Sequence, residues 1–293
     1  MRRRIVVVVG AAVAIATVFS MRPEKRISEP PAIELHHTAS ASFVEPAKDR
    51  LLFVLIIGSD IREGDPKTGR SDSLHLLAVD TKKGAGTMVG IPRDSYVPIP
   101  GRGTNKINAS LSFGGPEKTV ETVSALTGIK IQYWATIEFS RFRKLVDTLG
   151  GVEVKVPYEM HDTFSGADFE AGKTKMNGAE ALSFARNRHD ARGGDFGRSE
   201  NQGRLLLAAF DKFRDDAKHP WKLAKYLRAF DDLVESDVGI KELLRLAAIG
   251  RRVDPAKVKN VVVPGRSGSA GGASVVFLSP GDLFKKIRDD AVL

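Results

Sequence analysis

Residues 51–57 read Leu-Leu-Phe-Val-Leu-Ile-Ile, an uninterrupted apolar run that is followed by Gly58, Ser59 and Asp60. A short continuous apolar run is typical of a β-strand buried on both faces, the kind found in the centre of α/β sheets. Ligands of open α/β sheets bind at the carboxyl ends of the strands. The run therefore predicts a central strand that places Asp60 at a ligand-binding edge.

The rest of the chain from residue 50 mixes predicted strands and helices. Apolar segments predict strands at residues 73–79, 87–91, 131–137, 152–156 and 258–263. Helical patterns occur at residues 116–126, 141–149 (capped by Ser140), 178–185, 198–214, 220–233, 241–251 and 280–291. A hairpin turn is predicted at residues 82–86, and a surface loop at the glycine-rich residues 265–272. The mixture predicts an α/β fold, a three-layer α/β/α sandwich with a central mixed β-sheet, over residues 50–293.

The composition of the 293-residue chain is that of a globular protein, with 42% hydrophobic and 28% charged residues. Cysteine is absent, which excludes disulfides, thiolate metal sites and cysteine nucleophiles. The chain has 45 Lys and Arg against 36 Asp and Glu, a net charge of +9. A basic protein binds polyanions such as nucleic acid, an anionic membrane or phosphorylated substrates, although the same charge can serve solubility alone.

A membrane anchor is predicted at the N-terminus. Residues 5–21 are apolar or small and follow three arginines at residues 2–4. As a helix, this segment spans about 25 Å, near the lower limit for crossing a bilayer. It can be an uncleaved anchor or a signal peptide, and we favour the anchor because the residues after the run form a poor cleavage site. Residues 1–4 are then cytoplasmic, and the proline-containing residues 22–49 form an extracytoplasmic linker.

Several arginines are spaced so that they can meet at one place. Arg186 and Arg188 are two residues apart, so in an extended segment they point the same way. Arg198 and Gln202 are four apart on a predicted helix and share a face. Arg198 is in the predicted first turn, where free N–H groups and the helix dipole favour an anion. Converging guanidiniums repel one another unless a strongly negative group lies between them, and Arg binds phosphate through a bidentate fork.

Carboxylates accompany these arginines. Asp60 and Asp72 can hold a hard cation such as Mg²⁺, which takes one or two carboxylates together with phosphate oxygens of a substrate. Carboxylates, a metal and arginines are the components of phosphoryl transfer. Each residue also has an ordinary interpretation, because a single Asp after a strand is usually a turn residue and an Arg-x-Arg pair is usually solvated surface. His75 lies inside a predicted strand and is interpreted as a structural histidine.

An ordered set of motifs resembles the LytR-CpsA-Psr family over about residues 50–215. The set comprises Gly58-Ser-Asp60, Gly69-Arg-Ser-Asp72-Ser, Ile91-Pro-Arg-Asp94, Lys106-Ile-Asn108-Ala, Gly114-Gly115, Leu145-Val-Asp147-x-Leu-Gly-Gly-Val, Gly178-Ala-Glu-Ala-Leu, Arg186-x-Arg188 and Asp195-Phe-Gly-Arg198-x-x-x-Gln202. Members of this family are membrane-anchored extracytoplasmic transferases. The resemblance implies transfer of a glycopolymer from a polyprenyl-pyrophosphate carrier to a peptidoglycan hydroxyl, with formation of a phosphodiester.

The resemblance also implies roles for individual residues. Asp60 and Asp72 match positions that hold Mg²⁺, for which Mn²⁺ is an alternative. The positions around the lipid pyrophosphate are matched by Arg70, Arg93, Arg186, Arg188, Asp195, Arg198 and Gln202. The expected catalytic residues are Asp72, Arg93, Arg186 and Arg198. Asn201 departs from the family pattern, which commonly has Arg there, and removes one positive charge.

Two other functions stay open at this point. A hydrolase would cleave the pyrophosphate of the same lipid with water as acceptor, and a regulator would bind the lipid-linked glycan at the same site. A nucleic-acid partner is not expected, because the sequence has no helix-turn-helix signature and the body is predicted to lie outside the cell membrane. The sequence leaves open which polymer is carried (teichoic acid, arabinogalactan, capsule or glycoprotein sugars) and whether Asp72, Asp94 or another group is the general base.

Overall fold

The computed structural model describes residues 33–38, 50–59, 69–188, 191, 193–219, 221–222, 234–236, 238 and 240–293. The predicted anchor at residues 5–21, Asp60 and most of the helix predicted at residues 220–233 lie outside these ranges. Within the described ranges, no helix is long and apolar enough to cross a membrane.

A seven-stranded mixed sheet forms the centre of the fold. Its spatial order is β12 (Val234–Ser236), β1 (Ile33–His37), β7 (Tyr133–Glu138), β2 (Leu51–Ser59), β3 (Ser71–Asp80), β4 (Ala85–Gly90) and β13 (Val258–Val262). The strand β2, which contains the apolar run, is parallel to β7 and antiparallel to β3. Its central position confirms the prediction made from residues 51–57.

Helices cover both faces of this sheet. Helices with bounds within the described ranges are α1 (Ala109–Thr127), α2 (Phe139–Thr148), α3 (Gly178–Arg186), α4 (Asp195–Asp216), α5 (Ile240–Arg252) and α6 (Leu283–Asp290). Phe53, Leu55 and Ile57 of β2 share a core with residues of α1 and α6. The alternate residues of β2, beginning at Leu52, share a second core with residues of α4 and α5. Successive side chains of β2 thus point to opposite faces of the sheet and pack against two helical layers, as the three-layer prediction requires.

A third core lies beside the sheet and holds α2, α3 and part of α4 together. Two small antiparallel pairs contribute to it: β8 (Val152–Val156) with β11 (Gly172–Met176), and β9 (Met160–Asp162) with β10 (Ala167–Phe169). A third pair, β5 (Tyr96–Ile99) with β6 (Gly103–Lys106), connects β4 to α1. Helix α4 contributes side chains to this third core and also to the second core, which it shares with β2 and α5. The third core therefore joins the sheet along α4.

The prediction of a surface loop at residues 265–272 is wrong. Residues Gly265–Ala270 form strand β14, which pairs antiparallel with β15 (Ala273–Leu278). Gly271 and Gly272 form the two-residue turn, and both have a positive φ, 55° and 80°, which such hairpin turns favour. The glycine and serine residues of β14 are mostly exposed, so the sequence shows no apolar alternation there.

Three predicted element boundaries also differ. Helix α2 begins at Phe139 with Glu138 at its N-cap, so Ser140 is not the cap. Helix α1 begins at Ala109 rather than residue 116, and is interrupted by non-helical backbone at Gly114 and Gly115. The range 22–49, predicted as a linker, contains β1, which pairs with β7 and β12 inside the sheet.

Candidate active site

The predicted site residues come together where β3 begins and where α4 begins. Asp72 in β3 forms an ion pair with Arg93, which follows β4. Asp195 and Arg198 form a second ion pair within the first turn of α4. Gln202, one turn further along, donates from Nε2 to the backbone oxygen of Asp72 at 3.4 Å. The structure thus assembles five residues that are scattered between positions 72 and 202.

The close approach of α4 to the sheet depends on two glycines. A Cβ at Gly90 of β4 would lie 2.4 Å from Oγ of Ser199, so only a glycine gives the first turn of α4 room against the sheet. A Cβ at Gly203 of α4 would lie 2.1 Å from Oδ1 of Asn260 in β13. Because Gly90 and Gly203 have no side chains, α4 can lie directly against β4 and β13.

Charges in this cluster act strongly on one another. Burial lowers the pKa of Arg93, but the carboxylate of Asp72 raises it, and the pKa lies above its ordinary value. The charges of Asp94 and Asp195 also raise it. Burial lowers the pKa of Arg198; Asp195 opposes this effect and the positive charge of Arg93 adds to it. The two guanidiniums are near enough to repel, and the carboxylates lie among them.

Three further arginines of the predicted site have exposed side chains: Arg70, Arg186 and Arg188. Within the described residues, these side chains have no ion-pair or hydrogen-bond partner. Asn187, between two of them, is 0% exposed. Arg186 ends helix α3 rather than lying in an extended segment, so the spacing of two residues along a strand does not apply to this pair, and their common direction stays a prediction. The charge of Arg188 also lowers the pKa of Arg198, after the larger effect of burial, and this places Arg188 beside the cluster.

One part of the sequence prediction is wrong. Arg198 was expected among the free N–H groups of a helix start, but α4 begins three residues earlier, at Asp195. The backbone N–H of Arg198 donates to the oxygen of Gly194 at 3.0 Å and is not free. Asp195 itself occupies the first turn, where its carboxylate opposes a second anion. The positive charge that faces a ligand therefore belongs to side chains and not to the helix terminus.

The structure shows contacts of further groups at or near this cluster. Asp94 forms an ion pair with Lys106, with 3.0 Å between Oδ1 and Nζ. The backbone N–H of Asn108 donates to the oxygen of Arg93 at 3.2 Å, so the motif around Lys106 holds the loop that carries Arg93. Both side-chain amide atoms of Asn187 are buried and have no hydrogen-bond partner among the residues that the structure describes. The sequence indicated Asp94, Lys106 and Asn108 as motif residues, but it gave no signal for their contacts or for a role of Asn187.

Of the two expected metal ligands, Asp60 and Asp72, only Asp72 lies within the described residues. Asp72 contacts Arg93 through Oδ1, and Oδ2 of Asp195 is buried without a hydrogen-bond partner. Carboxylate oxygens of this kind suit Mg²⁺. Asp60, the second expected ligand, lies outside the described residues. No group of three His, Cys, Asp or Glu residues that could hold a metal ion occurs in the part of the chain that the structure describes.

Comparison with known proteins gives the family. The model of the LytR_cpsA_psr family matches residues 20–290, which is most of the chain. The chain belongs to this family. The ordered motifs between residues 50 and 215 are therefore LytR-CpsA-Psr motifs, as the sequence predicted.

Individual family members from Bacillus subtilis (strain 168) are similar to this chain. TagU is 39% identical over 160 residues, which are 54% of this chain and 51% of TagU. TagV is 32% identical over 242 residues, which are 80% of this chain and 61% of TagV. Both are named polyisoprenyl-teichoic acid–peptidoglycan teichoic acid transferases. The chain thus spans between half and two thirds of the length of these relatives.

The fold of the family is confirmed by a solved structure. The crystal structure of Bacillus subtilis TagV superimposes with a TM-score of 0.67 at 30% sequence identity, covering 83% of this chain and 96% of TagV. The mixed sheet with helices on both faces is therefore the LytR-CpsA-Psr fold.

Proposed function

We propose that this protein is a phosphotransferase that moves a glycopolymer from a polyprenyl-pyrophosphate carrier to a peptidoglycan hydroxyl. The observation that carries the proposal is the group formed by Arg93, Arg198 and Arg188, in which Arg93 and Arg198 are held by carboxylates and Arg188 is exposed. Arg70 and Arg186, also exposed, adjoin residues of the same site in the chain. A pyrophosphate has the charge and the forked oxygens that such arginines bind. The names of TagU and TagV support a lipid-linked glycan as donor and peptidoglycan as acceptor.

The proposed reaction exchanges one phosphoester bond for another. The oxygen of the peptidoglycan hydroxyl forms a bond to the phosphorus nearest the sugar, and the bond from that phosphorus to the bridging oxygen breaks. Polyprenyl phosphate leaves, and the hydroxyl proton passes to a base. Arg93 and Arg198 offset the charge that develops on the phosphoryl oxygens. Asp72 and Asp94, the candidate bases, are each in an ion pair, with Arg93 and Lys106 respectively.

A divalent cation belongs to this proposal. Asp60 and Asp72 would hold Mg²⁺ or Mn²⁺, and the bound ion would neutralise phosphate charge and orient the pyrophosphate. Oδ1 of Asp72 pairs with Arg93, and its Oδ2 has no ion-pair partner among the described residues. The proposal also places the protein in the cell membrane, anchored by one helix at residues 5–21, with the catalytic domain extracytoplasmic.

The test uses the full-length protein with Mg²⁺ and a polyprenyl-pyrophosphate-linked saccharide, with and without peptidoglycan. We expect release of polyprenyl phosphate that depends on peptidoglycan, together with sugar attached to the wall. Release that is equally fast without peptidoglycan would identify a hydrolase. No release with teichoic acid, arabinogalactan and capsular precursors, combined with tight lipid binding, would identify a regulator.

Two arginine variants test the residue assignment. Arg186→Ala and Arg198→Ala are each expected to lower kcat/KM about 100-fold, because each removes a charged contact to the phosphoryl group. Arg186 is the cleaner test, since it is exposed and its loss leaves no buried carboxylate unpaired. Arg143→Ala is the matched control, an exposed arginine on α2 whose backbone lies against Gly178, at the end of α3 opposite to Arg186. Activity retained in both site variants would contradict the assignment.

A further inference from the structure

His75 joins the strand that carries Asp72 to the helix that carries Arg198. The imidazole is 0% exposed. Its Nδ1 lies 3.0 Å from Oγ of Ser73 in β3, and its Nε2 lies 3.0 Å from the backbone oxygen of Ser199 in α4. Ser73 directly follows Asp72, and Ser199 directly follows Arg198. One buried ring therefore connects the residues that follow Asp72 and Arg198, through the side-chain hydroxyl of Ser73 and the backbone oxygen of Ser199.

The two contacts determine where the ring proton lies. A backbone carbonyl can only accept a hydrogen bond, so Nε2 of His75 carries the hydrogen and donates to Ser199. In the neutral ring Nδ1 is then an acceptor, and the hydroxyl of Ser73 donates to it. Both ring nitrogens of His75 therefore form hydrogen bonds, one with Ser73 and one with Ser199. The ring therefore fixes the separation of β3 and α4 at this level.

Packing reinforces this link. A Cβ at Gly90 would lie 3.2 Å from Nε2 of His75 as well as 2.4 Å from Oγ of Ser199. The ring, the strand β4 and the first turn of α4 are thus in direct contact. A shift of α4 along the sheet would break the bond to Ser199 and move Arg198 and Gln202 with it.

We propose that His75 is a positioning residue, whose Nε2–H bond to Ser199 sets Arg198 and Gln202 relative to Asp72 and so sets the affinity of the site for a pyrophosphate. The bond between Gln202 and the backbone of Asp72 spans the same two elements and depends on the same separation. This role rests on the proposed function, because it needs the arginine cluster to bind pyrophosphate. In this role, His75 does not contact the substrate.

Two amide variants separate the two hydrogen bonds. The side-chain amide nitrogen of Gln reaches the position of Nε2, so His75→Gln keeps the bond to Ser199 and loses that to Ser73. The amide of Asn reaches only the position of Nδ1, so His75→Asn keeps the bond to Ser73 and loses that to Ser199. Binding of inorganic pyrophosphate with Mg²⁺ to the full-length variants is measured by calorimetry, at a temperature where both are folded.

We expect His75→Gln to bind within about threefold of the unmodified protein and His75→Asn to bind at least about tenfold more weakly, the effect of one lost hydrogen bond. Equal losses in both variants, or losses that follow their melting temperatures, would overturn the positioning role alone. Failure of the unmodified protein to bind pyrophosphate would overturn the proposed function and this role together. A ¹⁵N spectrum of the unmodified protein provides a measurement that needs no variant: hydrogen on Nε2 is expected, and hydrogen on Nδ1 would contradict the link.

Discussion

Acid should destabilise this protein through His75. Burial lowers the pKa of His75 from 6.5 to about 4, and the backbone bond with Ser199 opposes that effect only in part. No charged side chain among the described residues contributes to the lowered value. The imidazole therefore stays neutral in the folded protein at pH values where it takes up a proton in the unfolded chain.

The sign and size of the effect follow from these two pKa values. Above pH 6.5 the ring is neutral in both states, and its protonation does not affect stability. Between pH 6.5 and about 4 the unfolded chain binds a proton that the folded protein does not, so the free energy of unfolding falls as the pH falls. Below about pH 4 both states bind the proton and the loss is complete. Since each pH unit corresponds to about 1.4 kcal/mol, the whole loss amounts to about 3 kcal/mol.

The assay compares the unmodified protein with His75→Gln, because glutamine cannot titrate in this range. Urea unfolding is followed at pH values from 7.5 to 4 by the fluorescence of tryptophan, for which buried Trp134 is a suitable reporter. Carboxylates titrate in both proteins, so their contribution cancels in the difference. The unmodified protein should lose about 3 kcal/mol more than the variant over this range. Parallel pH profiles for the two proteins would refute the reasoning.

Other predictions concern packing. Gly90→Ala should cost about 1–3 kcal/mol because its methyl group meets the hydroxyl of Ser199, and Ser199→Ala in the same chain should recover part of that loss in a double-mutant cycle. Gly203→Ala should cost a similar amount in urea unfolding, since it displaces Asn260 from its bond at 2.8 Å to the backbone of α4. A chain without residues 1–49 lacks β1 and should unfold at lower urea than one cut just before β1; equal midpoints would contradict the role of β1 in the sheet.

Strands that are buried on both faces were predictable, whereas the exposed hairpin was not. Residues 51–57 form β2 because seven adjacent apolar residues can be buried only between two layers. The hairpin of β14 and β15 has no such signal, because its stability comes from pairing between residues 265–270 and 273–278. Strand β1 was missed for a related reason. It is five residues long, and its place in the sheet depends on β7, nearly a hundred residues away in the chain.

The residue types of the candidate site were predictable, but their pairing was not. Arginine, aspartate and glutamine at helical or strand spacing indicate which side chains share a face of one element. The ion pair of Asp72 with Arg93 joins different elements, so it depends on the folded sheet. The pair of Asp195 with Arg198 is local, at i,i+3, but it became visible only with the true start of α4. Errors of three residues at a helix boundary therefore change the chemistry assigned to its first turn.

The arrangement of charges divides the arginines into two kinds. Arg198 is buried and Arg93 is partly buried, and each has a carboxylate partner, because an unpaired charge removed from water would destabilise the fold. The exposed arginines at 70, 186 and 188 need no such partner, since water solvates them. The paired arginines Arg93 and Arg198 are thus near neutrality before a ligand binds. Under the proposed function, the exposed three would provide the net attraction for a pyrophosphate. Salt should then weaken ligand capture mainly through the exposed arginines, while Arg93 and Arg198, held by Asp72 and Asp195, would determine the geometry in which the phosphoryl group is bound.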